Sequence, residues 1–394
     1  MDIKITLIRL LEQKINCNFN FVKKNQIITL LSWLIIGCTS SRLKDTTPTS
    51  AQYAQGFSIE TNGIYDILIL KNIVPNSQTA FRYLLIDDGI ELPKGDTYDG
   101  IIRTPVKRII ACSTTHIAFL EELDAIETLV GFPETDYISS PDARKRIAEG
   151  KIIDVGKSQQ LNVERVLELN PDLILSFGVE SIDGSLKQFN KMGISSAFIG
   201  EWNEQNPLGR AEWIKVFGAL LGKKKEADER FKSVEKKYIE IQNSIPNTKT
   251  KPTVLAGAIY QDAWYLPGGN SYLAKLFKDA NTNYLWKDDV ETGSLALSIE
   301  TVLEKGQQAD YWFAPGQHTS YSILEEEHVL YSKFEAIQTK SIFTYARSKG
   351  STGGLLFFES GATRPDLVLK DIIHHLYPEL HTAYSPTYFS PLDD

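Results

Sequence analysis

Short runs that alternate between apolar and polar residues follow residue 52. Residues 57–60, 65–71 and 81–87 have the length and the alternation of β-strands. Asn62-Gly63 separates the first two runs, and this dipeptide favours a tight hairpin turn because both residues tolerate positive φ. The pattern predicts a β-hairpin prelude over residues 53–103.

From residue 104 onward, apolar strands alternate with amphipathic helices. The predicted strands are residues 106–113, 152–155, 173–177 and 197–199, and the predicted helices are residues 114–123, 163–169 and 185–192. Strands that alternate with helices across short loops are typical of a parallel α/β sheet. We therefore expect an N-terminal α/β lobe over residues 104–222.

A helical stretch without strands covers residues 209–245. Apolar residues recur near its end at intervals of four and three, at Ala227, Phe231, Val234, Tyr238, Ile241 and Ile245. Such a narrow stripe on a charged helix suits a coiled coil or a helix that lies across two bodies. The stripe is short for a free-standing coiled coil. We therefore predict that residues 223–245 form one helix connecting two lobes.

A second round of strands and helices occupies residues 246–394. The predicted strands are residues 253–260, 311–314 and 355–358, and the predicted helices are residues 271–278, 299–305, 331–337 and 365–376. Residues 161–168 and 297–304 are identical at five of eight positions, and each block leads to an aspartate, Asp172 or Asp310, that opens an apolar strand. This echo supports two similar lobes in series.

Composition excludes several classes of protein. The chain has 394 residues, of which 42% are apolar and 23% are charged, which is typical of a soluble globular protein with two or three domains. The formal net charge is -8, and no long basic block is present. A nucleic-acid partner is therefore not expected, because it would favour a cationic face.

The longest apolar run is residues 27–36, which follow Lys23-Lys24 and precede Gly37-Cys38. Its 10 residues are too few for a membrane-spanning helix, which needs about 20. A cationic flank, a short apolar stretch and a small residue before a cysteine resemble a bacterial lipoprotein signal. The resemblance implies that residues 1–37 are removed, that Cys38 carries lipid and that residues 38–52 form a tether. A short buried helix or strand is the alternative.

Several blocks of the α/β region share one further resemblance. They are Ser113-Thr114-Thr115-His116, Gly131-Phe132-Pro133, Asp154-Val155-Gly156, residues 162–175 and residues 267–272. Over residues 104–380 the chain resembles the substrate-binding proteins of ABC importers, of the helical-backbone group that takes ferric siderophores, haem or cobalamin. The resemblance implies two Rossmann-like α/β lobes, bridged by one long α-helix, with a ligand cleft between them. It implies no catalytic residues, no cofactor and no metal ion of the protein's own.

The resemblance also implies one glutamate on each lobe that meets arginines of a membrane permease. These glutamates correspond to Glu164 and Glu300, which hold the same place in the echo. Each lies two residues past an N-cap, in the first turn of a predicted helix, where a carboxylate is exposed and favoured by the helix dipole. The ordinary preference of glutamate for helix starts is the alternative.

Ligands of open α/β sheets collect beyond the carboxyl ends of the strands. This rule and the aromatic content select the candidate ligand-binding residues His116, Thr115, Tyr137, Phe177, Glu180, Trp264 and Tyr265. His116 would bind iron or an anionic group, or it would only form hydrogen bonds at a helix terminus. Trp264 and Tyr265 offer flat faces to a macrocycle or an aromatic chelate, although a core role is expected for one of them.

Two further motifs carry less weight. The segment from Gly350 to Gly354 lacks the spacing of a P-loop and is expected to be an ordinary loop. His318 and His328 flank Glu325-Glu326-Glu327, which is expected to be a solvated acidic turn rather than a metal site.

The sequence thus favours a lipid-anchored receptor on the periplasmic face of a bacterial membrane. It would capture an iron complex, such as a ferric siderophore, or a corrinoid, and deliver it to an ABC permease in the inner membrane. The alternatives are a haem-binding lipoprotein and a chelate-processing enzyme on the same two-lobed scaffold.

Overall fold

The computed structural model describes residues 47–73, 79–158, 160–178, 185–246, 250–380 and 382–394. The predicted lipoprotein signal, Cys38 and Glu180 lie outside the described residues. Residues 46–394 form one compact unit. Within the described ranges, no helix combines the length and the apolar character that a membrane span requires.

The prelude is a five-stranded sheet, which is larger than the predicted hairpin. Its strands are β1 (Thr47–Ser50), β2 (Phe57–Thr61), β3 (Tyr65–Lys71), β4 (Ala80–Asp87) and β5 (Gly100–Thr104), paired in that order. The hairpin between β2 and β3 is confirmed, because the Asn62 side chain accepts the backbone N–H groups of Ile64 and Tyr65. β1 lies inside the predicted tether, so that prediction is wrong for these four residues.

Two buried carboxylates attach the start of the prelude to the segment that precedes the long helix. Glu212 accepts the backbone N–H groups of residues 52–54, at 2.8–3.0 Å. Glu204 accepts those of residues 55 and 56, at 2.9 and 2.8 Å, and also the indole N–H of Trp213 at 3.0 Å. Burial raises the pKa of Glu204. The prelude is therefore held by charge-assisted hydrogen bonds in addition to apolar packing.

The N-terminal lobe contains the predicted parallel sheet and a small hairpin. The strands are β6 (Ile109–Ala111), β7 (Leu129–Phe132), β8 (Ile153–Asp154), β9 (Gly156–Lys157), β10 (Gln160–Leu161), β11 (Leu173–Ser176) and β12 (Ser195–Phe198). The sheet has the order β12-β11-β6-β7-β8, and β9 pairs with β10. The helices of this lobe are Thr114–Glu122, Pro141–Ala148, Val163–Leu169, Ser185–Lys191, Pro207–Glu212 and Ile214–Leu220. The strands β6, β7 and β11 are buried along their whole length, as is usual for parallel strands.

The C-terminal lobe contains a main sheet and a smaller antiparallel sheet. The strands are β13 (Thr253–Ala256), β14 (Ala258–Tyr260), β15 (Ala263–Pro267), β16 (Asn283–Tyr284), β17 (Ser294–Leu297), β18 (Tyr311–Phe313), β19 (Ile342–Thr344) and β20 (Ser390–Pro391). The main sheet has the order β16-β13-β18-β19-β20, and the smaller sheet has the order β14-β15-β17. The helices are Tyr272–Asp279, Ile299–Gly306, Tyr321–Glu327, Glu335–Gln338, Leu356–Glu359 and Pro365–Leu376. The strand predicted at residues 355–358 is wrong. A short apolar run without alternation fits a helix equally well.

The internal echo, residues 161–168 and 297–304, lies at equivalent positions in the two lobes. In each lobe the echoed helix leads to a strand that pairs with the first strand of that lobe, β11 with β6 and β18 with β13. Asp172 accepts the backbone N–H of Arg108 at 2.9 Å, and Asp310 accepts that of Thr253 at 2.7 Å. Each aspartate therefore ties the start of its strand to the start of the first strand of its lobe.

The long helix, Lys224–Asn243, packs against the cores of both lobes. Ala227, Phe231 and Val234 belong to the core of the N-terminal lobe, whereas Tyr238 belongs to that of the C-terminal lobe. We call it the linking helix. Among the described residues the main sheets of the two lobes remain separate, so the predicted architecture of two α/β lobes is confirmed.

Candidate functional site

Two adjoining cavities border the C-terminal lobe on the side that faces the rest of the protein. The larger, of about 1110 Å³, is lined by residues 202–205 and Arg210, and by C-terminal-lobe segments that include β14 and β15. The smaller, of about 480 Å³, is lined by N-terminal-lobe residues 112–114 and 132–134 and by C-terminal-lobe residues 353–355. Both cavities are lined by Gln317 and Phe358. We call the two cavities together the cleft.

Exposed aromatic side chains line the cleft from both lobes. Tyr260 is 67% exposed, Tyr265 is 43% exposed, and their rings meet edge to face with centroids 6.2 Å apart. Tyr137 of the N-terminal lobe is 62% exposed, and Phe358 of the C-terminal lobe is 51% exposed. Large apolar side chains gathered in a concave surface mark a site for a ligand with apolar faces.

Three of the predicted ligand-binding residues line this cleft. Tyr137 and Phe177 line the smaller cavity, and Tyr265 lines the larger one. The structure therefore brings them to a common surface, and their contact with a ligand stays a prediction.

The structure does not bring His116 or Trp264 to that surface, and both predictions are corrected. The His116 ring is wholly buried 5.9 Å from the ring of Phe217, and burial lowers its pKa to about 3. Trp264 is also wholly buried and donates its indole N–H to the Ala256 carbonyl at 3.0 Å. Side chains of a strand point alternately to opposite faces, so Trp264 enters the core while Tyr265 faces the cleft.

Thr115 does not line either cavity of the cleft. Its hydroxyl donates to the buried carboxylate of Glu201 at 2.5 Å. Burial raises the pKa of Glu201, and the nearby Arg210 opposes that shift. Thr115 thus belongs to a polar cluster with Glu201, and its contact with a ligand stays a prediction.

Arg210 is a cleft residue that sequence reasoning missed. Its guanidinium lies over the ring of Tyr272 in the C-terminal lobe, and it donates to the Trp202 carbonyl at 2.7 Å. Among the described residues its Nε has no hydrogen-bond partner. No local pattern identifies such a residue, because its partner in the stack is distant along the chain.

His318 and Glu327 form a polar pair in the cleft wall. The imidazole of His318 contacts the Glu327 carboxylate through Nε2, and its Nδ1 lies 2.5 Å from the Pro315 carbonyl oxygen. Glu325, Glu326 and Glu327 are exposed, as predicted, but they end the helix Tyr321–Glu327 rather than form a turn. Within the described ranges, no group of three or more His, Cys, Asp or Glu residues is arranged to hold a metal ion.

A basic cavity adjoins the cleft. It has a volume of about 720 Å³, and Gln205 and Thr292 line both it and the cleft. Its lysines are Lys251, Lys275, Lys278 and Lys287. Lys275 pairs with Asp279, and Lys287 donates to the Asn283 side chain at 2.6 Å. A negatively charged group at this end of the cleft would meet cationic side chains.

Glu164 and Glu300 occupy equivalent exposed positions on the two lobes. Each lies in the first turn of its helix, Val163–Leu169 or Ile299–Gly306. The N-cap side chain of each helix accepts a backbone N–H, with Asn162 bonded to Arg165 at 3.1 Å and Ser298 bonded to Thr301 at 3.3 Å. Hydrogen bonds from its own backbone N–H and from Ser298 lower the pKa of Glu300.

Comparison with known proteins decides the family. The profile of the family described as periplasmic binding protein matches residues 109–348. The chain belongs to this family. An uncharacterized lipoprotein of Methanocaldococcus jannaschii is 30% identical to this binding protein over 304 residues, which are 75% of this chain and 70% of the relative. A second uncharacterized lipoprotein of that organism is 27% identical over 325 residues, covering 76% of this chain and 81% of the relative.

Solved structures agree with the fold of this binding protein. A possible iron-binding periplasmic solute-binding protein from Staphylococcus epidermidis has a TM-score of 0.54 and 20% identity, covering 70% of this chain and 100% of that one. A periplasmic heme binding protein from Pseudomonas aeruginosa has a TM-score of 0.56 and 17% identity, covering 73% of this chain and 99% of that one. Family and lipoprotein relatives together indicate that the binding protein works outside the cytoplasm.

Proposed function

We propose that this binding protein captures an iron complex, such as a ferric siderophore, or a corrinoid in the cleft and delivers it to an ABC permease while anchored by lipid at Cys38. The observation that carries the proposal is the set of exposed aromatic side chains facing the cleft from both lobes, led by Tyr260 and Tyr137. Covering such faces with a flat apolar ligand removes them from water, which favours binding.

The size of the cleft supports a bulky ligand. Pockets for drug-sized molecules have volumes of about 300–1,000 Å³. The larger cavity alone has about 1110 Å³, and the smaller adds about 480 Å³. A macrocycle or a multidentate chelate uses this volume better than a simple ion or an amino acid does.

Cationic side chains around the cleft are available to pair with negative groups of a ligand, although Glu204, Glu291 and Glu327 line the larger cavity as well. Arg210 lines the larger cavity, and Lys349 lines the smaller one. The adjoining basic cavity adds four lysines. Carboxylates, catecholates or a phosphate of a metal chelate or corrinoid would be attracted to these cations.

Haem is a second candidate ligand. The similar protein from Pseudomonas aeruginosa is a periplasmic heme binding protein, and its fold resembles that of this chain. The cleft itself offers two exposed phenol groups, Tyr260 and Tyr265, beside apolar surface. Haem combines an apolar ring, negative carboxylates and a metal that accepts an oxygen ligand, so it meets the same side chains.

Glu164 and Glu300 are the proposed permease contacts. Both side chains are exposed, and both lie at helix starts that the internal echo makes equivalent. Two carboxylates held by one rigid body suit two cationic sites on a membrane protein, because charge-assisted hydrogen bonds then form on both lobes together.

A ligand panel tests the proposal. The full chain is titrated with a ferric hydroxamate, a ferric catecholate, cyanocobalamin and haem, and binding is followed by tyrosine and tryptophan fluorescence and by calorimetry. We expect one ligand to bind with a dissociation constant of about 1 μM or below. Equally weak binding of all four, in a protein that gives a normal thermal transition, would contradict the proposed ligand class.

A further inference from the structure

The two lobes touch directly beside the cleft. In the N-terminal lobe the contact is made by the loop before helix Pro141–Ala148, and in the C-terminal lobe by residues 350–359. The Glu359 carboxylate accepts the backbone N–H groups of Ser139 and Ser140, each at 2.7 Å and each on a different oxygen. The Thr352 hydroxyl adds a bond of 3.3 Å to the Ile138 carbonyl. We call this interlobe contact the clasp.

Two glycines allow the backbones of the two lobes to approach at the clasp. A Cβ at Gly350 would lie 2.6 Å from Ser139 Cα, and a Cβ at Gly354 would lie 2.3 Å from the Tyr137 carbonyl oxygen. Both distances are far shorter than a van der Waals contact. The glycine-rich segment that lacks P-loop spacing therefore has a steric role, because any other residue at either position would push the lobes apart.

The clasp adjoins both walls of the cleft. Tyr137 stands two residues before Ser139, and Phe358 directly precedes Glu359, and both aromatic side chains line the cleft. The Glu359 side chain and the Ser139 and Ser140 residues are buried, so water competes little for these hydrogen bonds. A change in the clasp would therefore move an aromatic wall of each lobe.

We infer that the clasp fixes the separation of the cleft walls and that Glu359 is the positioning residue which determines the size of chelate the cleft accepts. This inference rests on the proposed function. A carboxylate that accepts one N–H on each oxygen fixes distance and angle together, as bidentate pairs do. The linking helix joins the lobes by apolar packing, and the clasp adds a polar restraint between segments more than 200 residues apart.

Two variants that act by different means are designed to break the interlobe contact at the clasp. Glu359→Gln keeps the shape of the side chain but replaces one acceptor oxygen by an amide that cannot accept an N–H. Gly350→Ala keeps the carboxylate and separates the backbones sterically. The matched controls are Glu335→Gln, at an exposed acid of the same lobe, and Gly361→Ala, whose Cβ would lie 3.6 Å from the nearest side-chain atom.

Hydrogen exchange of the full chain without ligand is the first measurement. It is made at pH 8.5, since burial raises the pKa of Glu359 to about 7 and the carboxylate is ionised there. We expect exchange of the Ser139 and Ser140 amides to become about tenfold faster or more in both clasp variants, with no change in the controls. Unchanged exchange in both clasp variants would overturn the inference.

Ligand selectivity is the second measurement, and it separates positioning from general destabilisation. We expect the ratio of dissociation constants for haem and for the larger cyanocobalamin to shift by about tenfold in favour of the larger ligand in both clasp variants. If both ligands lose affinity by the same factor in the clasp variants, the positioning role of Glu359 is overturned. If the wild-type protein binds neither, the proposed ligands are wrong, and the exchange measurement still decides whether the clasp holds the lobes.

Discussion

The guanidinium of Arg210 stacks on the ring of Tyr272, with Arg210 Cζ 3.9 Å from the ring centroid. The stack joins the segment before the linking helix to the first long helix of the C-terminal lobe, at the floor of the larger cavity. The contact with the ring and the bond to the Trp202 carbonyl restrict the orientation of the guanidinium, which suits an anionic group of a ligand.

Replacing Arg210 by lysine tests that role. Arg210→Lys keeps the charge but loses the guanidinium that lies over the Tyr272 ring and its N–H directions. We expect the dissociation constant of an anionic chelate to rise about tenfold, or about 1.4 kcal/mol, as measured by calorimetry. Arg347→Lys is the control, because Arg347 is exposed and lies outside the cleft lining. Equal affinity of Arg210→Lys and wild type would remove Arg210 from the site.

The aromatic walls give a second prediction. Tyr260→Ser and Tyr137→Ser each remove an exposed ring from one side of the cleft. We expect each variant to weaken ligand binding by about 1–2 kcal/mol, because less apolar surface is covered in the complex. Val329→Ser is the control, since Val329 is at least as exposed but does not line the cleft. The same affinity in all three variants would argue against an aromatic site.

The buried His116 gives a prediction about stability and pH. Burial lowers its pKa to about 3, so it stays neutral in the folded protein while it is protonated below about pH 6.5 in the unfolded chain. The unfolded state therefore binds more protons between these values, and the free energy of unfolding falls as pH drops through this window. His375, whose pKa burial lowers to about 4, acts in the same direction.

His116→Leu should remove its share of this dependence. Neither ring nitrogen has a hydrogen-bond partner among the described residues, and leaving a buried polar group unpaired costs about 1–3 kcal/mol. We expect the variant to be more stable than wild type in urea unfolding, by more at pH 5 than at pH 7.5. A constant difference at both pH values would mean that His116 does not titrate as its burial requires.

The order of elements was predictable where a pattern is local. The Asn62-Gly63 turn, the stripe on the linking helix and the repeated helix starts at Glu164 and Glu300 each follow from neighbouring residues. The sequence predicted the ends of elements, and the type of element formed by short apolar runs, less well. Residues 355–358 were predicted as a strand and belong largely to a helix, because four apolar residues carry no distinguishing period.

The candidate site was predictable only in part. The rule that ligands collect beyond strand ends selected Phe177 and Tyr265, which line the cleft, although Tyr265 lies within β15 rather than after it. It does not say which neighbouring side chain faces outward, so it also selected Trp264 and His116, which are buried. Arg210 with Tyr272, and Glu359 with Ser140, join residues far apart in sequence, and no local pattern indicates such pairs.

The most direct test of delivery by this two-lobed receptor is ligand uptake in cells that carry the permease. Glu164→Ala combined with Glu300→Ala is compared with Glu168→Ala combined with Glu304→Ala, which removes exposed acids four residues further along the same helices. We predict that the first pair lowers uptake about tenfold or more while the dissociation constant of the purified protein stays the same, and that the second pair changes neither. Normal uptake by the first pair would contradict permease docking through these two glutamates.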